Sequence, residues 1–294
     1  ESSTLSPRAA VDEQRGHFER LQSYYKLDVK RYPEFAKLLL SKTMYCASVM
    51  VKGFLLFYVQ DTFRLDNVER EQALVGDVAI AAEAVAAIAA GGSMLALAEG
   101  AQLLPCLSRQ ASEALGSPGI RRAKCAGVFG AAWMGLLWFG PLLVGLGVLH
   151  ETASLPRGDV RAQQIAQAWI PYMKAGTAIW GLGQGIYLAG DQALSYALLP
   201  DPNEASRFLG LTSVCACLGA VIGGSSAGAA LHLFGGGDLL PHEAVITGVA
   251  GAPGYTFTGY AAMFLLATIL SWACGTTLAT IREKPGSECA KLVL

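Results

Sequence analysis

Charge is what this sequence has least of. Only 15% of its 294 residues are Asp, Glu, Lys or Arg, and 53% are hydrophobic; an average soluble domain is roughly 25% charged. A chain so poor in charge cannot cover a water-facing surface, which excludes the pair of soluble domains its length would otherwise suggest. The 22 basic and 23 acidic residues nearly cancel, to a net charge of −1, and no basic stripe stands out, which excludes a nucleic-acid binder. Seven cysteines are present, at 46, 106, 125, 215, 217, 274 and 289. They lack any C-x-x-C or Cys/His ligand spacing, so neither a disulfide framework nor a metal site is expected. There is no Walker A loop, no G-x-S-x-G and no H-E-x-x-H. We therefore expect no catalytic residue, no cofactor and no nucleotide-driven pumping: the chain does not read as an enzyme. Residues 1–14 lack the basic start and apolar core of a signal peptide. A first residue of Glu rather than Met reads as a fragment or a processed product.

What is present is long apolar runs. A membrane-spanning helix needs about 20 mostly apolar residues, and six stretches qualify: 35–58, 73–98, 125–149, 175–199, 209–234 and 257–281. These runs are unbroken, whereas a membrane β-barrel would show short alternating segments. The expected fold is an all-α membrane protein with six transmembrane helices. Its predicted organisation is a cytoplasmic linker or juxtamembrane helix over 1–34, a six-helix bundle over 35–283 and a cytoplasmic tail over 284–294. Within the linker, residues 11–32 have apolar side chains at helical spacing, read as a short surface helix ending at Pro33. Lys and Arg total 14 on the side holding both ends of the chain and 4 on the other. This bias places both termini in the cytoplasm, and an even number of spans requires the termini to share a side.

Ionisable groups inside spans are costly to bury and therefore point to function. Lys52 lies in the first span and Glu83 near the middle of the second. Counted at 1.5 Å per residue, they reach similar depths on neighbouring antiparallel helices and are expected to pair in the membrane interior, unless Lys52 snorkels outward. In the fourth span Trp180, Gln184, Tyr187, Asp191 and Ser195 repeat at helical spacing and form one stripe. Trp180 and Tyr187 can stack on a sugar ring, and Gln184 and Asp191 can bond hydroxyls; interhelical hydrogen bonding is the alternative use of the same groups. Lys52, Trp180, Gln184, Tyr187 and Asp191 are the candidate solute-binding residues, and Glu83 and Asp191 the candidate ion-coupling residues. Asp77, near the outer end of its span, is expected at the interface. The pairs Gly181-x-x-x-Gly185, Gly219-x-x-x-Gly223 and Gly224-x-x-x-Gly228 are expected to let helix backbones approach closely.

Three segments resemble the major facilitator superfamily, specifically its sugar–cation symporter-like group. Residues 54–61, FLLFYVQD, resemble the end of that group's seventh helix. Residues 181–202, GLGQGIYLAGDQALSYALLPDP, resemble its tenth helix and the following loop. Residues 259–266, GYAAMFLL, resemble the entry to its twelfth helix. The resemblance implies the C-terminal six-helix half of a secondary transporter for a small polar, sugar-like solute, driven by protons or another cation. It also implies one partner besides the lipid bilayer and the solute: a missing N-terminal six-helix half or, failing that, a second copy of this chain. The loop 107–122 departs from the superfamily's gate pattern, since it lacks the Asp and carries an insertion, and the group's second acidic position in the tenth helix falls at Ala197. These departures keep open a non-transporting membrane subunit or a solute sensor. On the superfamily pattern a lone bundle would leave the stripe of the fourth span facing lipid.

Overall fold

The computed structural model describes residues 27–63, 68–98, 118–152, 155, 160–235 and 255–282, and every regular element among them is helical. Helix α1 covers Pro33–Met50 and is followed by a 3₁₀ turn, Val51–Phe54. Then come α2, Leu55–Phe63; α3, Val68–Ala98; α4, Pro118–Leu137; α5, Phe139–Thr152; and α6, Val160–Ala197. A second 3₁₀ turn, Pro202–Glu204, precedes α7, Ala205–Gly235, and α8, Phe257–Ala279. Five segments are long and apolar enough to cross a membrane: Pro33–Phe63, Gln72–Ala98, Gly119–Thr152, Ala205–Gly235 and Phe257–Ala279. They coincide with five of the six expected spans. The remaining expected span, 175–199, lies within α6, which is 38 residues long but is not among the apolar five. Lys174, Gln184 and Asp191 interrupt its apolar character.

Breaks in the helices have local causes. Residues 118–152 form two helices because Pro141 has no N–H to offer Leu137 and its ring crowds that carbonyl; α4 accordingly stops at Leu137. The Pro141 carbonyl is used instead by the Tyr58 hydroxyl, which donates to it. Residues 27–32, expected as the end of a surface helix, form a turn instead. Asp28 accepts there from the amides of Lys30 and Arg31, at 3.1 and 3.2 Å, and this local bonding competes with a helix. The rest of that expected helix, most of the gate-like loop (107–117) and the 284–294 tail lie outside the described residues.

The helices form two triplets, α1–α3–α4/α5 and α6–α7–α8. The first helix of each triplet packs on the second and third helices of the other: α6 on α3 and α4, and α1 on α7 and α8. Glycines set both seams. Gly181 and Gly185 of α6 sit against the Ala82 and Ala86 carbonyls of α3, and Gly219 and Gly223 of α7 sit against the Thr43 and Ala47 carbonyls of α1. The third glycine pair does not serve this purpose: Gly224 meets nothing within 4 Å and Gly228 only Phe54, at 3.8 Å. Those two glycines lie on another face of α7, so the expectation that all three motifs bring helices together is corrected. Two of the segments that carry the family resemblance meet in space. Asp61 accepts from the Tyr260 hydroxyl at 2.5 Å and the Tyr255 amide at 3.0 Å, and Tyr58 packs edge-on against Tyr260 and Phe264.

Candidate functional site

The polar residues of α6 face α1 in successive layers. At one level Lys42 of α1 donates to Asp191 at 2.8 Å. The Asp191 side chain is fully buried and that of Lys42 is 14% exposed. About one helical turn along, the rings of Tyr45 and Tyr187 stack, with centroids 4.2 Å apart and 19° between planes. Farther along, Lys52 forms an ion pair with Glu83 of α3. Gln184 joins both: its amide oxygen is 3.5 Å from the Lys52 ammonium and its amide nitrogen 3.4 Å from Glu83. The same ammonium lies 4.7 Å from the centroid of Trp180, a cation–π contact. Beyond this group, Lys174 of α6 pairs with Asp77 of α3 at 2.7 Å, both largely exposed. Each ion pair is neutral within itself, which limits the cost of placing charge in an apolar bundle.

Lys52 sits in the 3₁₀ turn Val51–Phe54 and Glu83 on α3, and their side chains are 27% and 55% exposed. The expected pairing is present, and it lies at the open surface of the described bundle. Residues 51–54 turn more tightly than an α-helix, and Gly53 there has nothing within 4 Å of where a Cβ would stand. The energetic expectation changes with the exposure. Replacing Lys52 or Glu83 singly with Gln is expected to leave most of the folded protein intact, because exposed pairs contribute about 0.2–1 kcal/mol. A double-mutant cycle on thermal unfolding checks this, and a coupling of several kcal/mol would return the pair to the interior.

The stripe is also corrected in one respect. Trp180, Gln184, Tyr187, Asp191 and Ser195 are all buried within this chain, against α1 and its neighbours, so a lone bundle does not turn the stripe toward lipid. The faces of Trp180 and Tyr187 are occupied as well, the first by Lys52 and Trp138 and the second by Tyr45. Neither is a free platform for a sugar ring. Among the described residues, four buried side-chain atoms nevertheless lack a hydrogen-bond partner: Trp180 Nε1, Tyr187 Oη, Asp191 Oδ1 and Ser195 Oγ. All four belong to the stripe, in a bundle where buried polar groups are otherwise paired. Asp77, expected at the interface, pairs with Lys174.

Sequence reasoning missed Lys42 as the partner of Asp191. A signal was available: Lys42 lies seven residues past Phe35 and Asp191 eight before Leu199, so at 1.5 Å per residue both lie about 10–12 Å from the same end of the bundle. The group is thus a charged and aromatic column along α1 and α6, closed at Asp191 and open at Lys52 and Glu83. No protein-family model, curated protein or solved structure matches this chain.

Proposed function

We propose that this chain is one six-helix bundle, the C-terminal half, of a secondary transporter for a small polar solute, coupled to protons or another cation. The observation that carries the reading is the column of ion pairs and aromatic rings that α6 forms with neighbouring helices, which are themselves apolar enough to cross a membrane. Polar groups at that depth mark solute and ion routes. The interleaved triplets support it too. Equivalent spans stand three positions apart, with two spans between them, so in an up-and-down bundle α1 and α6 run in opposite directions, as in the inverted repeats inside each half of major facilitator carriers. In this reading Lys52, Glu83 and Gln184 meet the solute, Asp191 holds the coupling charge with Lys42 as its counter-ion, and both termini are cytoplasmic.

The partner surface is a second six-helix bundle, since the pathway of such carriers runs between two. The exposure of Lys52 and Glu83 leaves the open end of the column accessible to such a bundle. Liposomes containing only residues 1–294 should show no solute uptake, and co-expression with an upstream six-helix half should restore it. Robust uptake by the strictly monomeric chain overturns the need for a partner. Topology has its own check: in a cysteine-free background, cysteines placed at His150 and Arg122 should label from opposite sides of the membrane, and labelling from the same side refutes the six-span arrangement. A second reading, a transporter-derived subunit that moves nothing, is favoured by one observation: the stripe is buried inside the chain. It predicts that Asp191→Asn leaves the function of the assembly unchanged, whereas the transporter reading predicts that uptake loses its pH or cation dependence.

A further inference from the structure

We propose that the solute recognised at Lys52 and Glu83 is a zwitterion, with an ammonium and a carboxylate a few bonds apart, as in an amino acid or a betaine. The proposal rests on the transporter reading of this site and names its substrate class. The exposed chemistry of the column is ionic: Lys52 with Glu83 and, farther along, Lys174 with Asp77, while the aromatic faces that would grip a sugar are covered and buried. Of these two pairs, Lys52 with Glu83 is the one that Gln184 also reaches. Charge then decides which solutes fit. An anion pairing with Lys52 strands the Glu83 carboxylate, and a cation pairing with Glu83 strands the Lys52 ammonium; each leaves one charge of the pair without its partner. A zwitterion replaces the internal pair with two external ones, its carboxylate on Lys52 and its ammonium on Glu83, and strands neither.

Three further features agree. Gln184 lies within reach of both charged groups, acceptor toward the ammonium and donor toward the carboxylate, so it can keep one bond to each while they separate. The two side chains rise from different elements and are long enough to part by rotation about their own bonds. The neighbouring pairs, Lys42 with Asp191 and Lys174 with Asp77, are each neutral, so the column offers a net-charged solute no compensating field.

The test uses the purified 294-residue chain in detergent and reads its thermal unfolding midpoint with four kinds of probe: the zwitterions glycine, L-alanine and glycine betaine; the cation glycinamide; the anion acetate; and the neutral polyol glucose. A ligand well above its Kd raises the midpoint in proportion to the logarithm of its concentration. The expected result is a shift of several degrees with at least one zwitterion and none with glycinamide, acetate or glucose. Lys52→Gln and Glu83→Gln should each abolish the shift, and the exchanged pair Lys52→Glu with Glu83→Lys should regain it. Protection by glucose without protection by any zwitterion overturns the substrate class and leaves the transporter reading standing. Equal protection by glycinamide or acetate overturns two-charge recognition. Protection by no probe overturns the zwitterion proposal, and the transporter reading is then judged by the uptake experiment with the second bundle.

Discussion

Neutralising either member of the Lys42–Asp191 pair alone should cost about 3–5 kcal/mol of stability, the penalty for leaving one buried charge without its partner. The variants are Lys42→Met and Asp191→Asn. Asp191 has no exposed side-chain surface and Lys42 very little, so water cannot solvate the charge left behind. Asp191 Oδ1 already lacks a partner, and without Lys42 neither carboxylate oxygen is bonded among the described residues. The double variant should recover most of the loss, because two neutral side chains meet where two charges did. Chemical denaturation of the purified variants measures this as a coupling energy. Additive losses, or single variants as stable as the parent, would show that the pair is not a structural unit. The contrast with Lys52 and Glu83 is the sharper part of the expectation. Lys42 with Asp191 is sealed and Lys52 with Glu83 is open, so only the first pair should matter to folding and only the second to solute binding.

The second large effect concerns the glycine seams, where the sign of a Gly→Ala change should depend on the face. At Gly185 a new Cβ falls on the Ala86 carbonyl and within 2.8 Å of the Ala90 nitrogen; at Gly223 it falls on the Ala47 carbonyl and 2.6 Å from the Ala47 Cα. Backbone atoms cannot swing aside, so α6 must leave α3, or α7 leave α1. Overpacking of this kind costs about 1–3 kcal/mol, and Gly185→Val or Gly223→Val should exceed the upper end and sharply reduce folded protein. At Gly91 and Gly224 nothing lies within 4 Å. Alanine there should stabilise, by up to about 1 kcal/mol, through its better helix propensity. The four alanine variants compared by thermal unfolding decide it. A uniform response would mean that the two seams are not built on close approach.

The resemblance to carrier sequences and the packing of the chain meet at Asp61 and Tyr260. They lie 199 positions apart, in two separate family-like segments, and are joined by a 2.5 Å hydrogen bond. A short motif reports which residue types belong at a helix end. It does not report that the two ends close on one another. The same limit applies along α6. Spacing alone put Trp180, Gln184, Tyr187 and Asp191 on one face, because a helix repeats every 3.6 residues. Spacing carries no information on which helix that face meets.

Composition by itself determined the class and the approximate positions of five of the apolar helices, because a long run of apolar residues has few stable homes outside a membrane or a deep core. Counting residues along the apolar runs also gave Lys52 and Glu83 similar levels, in agreement with their ion pair, since rise along a helix is a property of the backbone alone. Only the tertiary structure decided that Asp191 belongs to Lys42, that Tyr45 covers Tyr187, and that Gly224 and Gly228 join no seam. Those facts depend on the rotation of each helix about its axis and on which neighbour it meets. Both are set by the sum of many contacts across the bundle, among residues far apart in the chain, so no local window of sequence contains them.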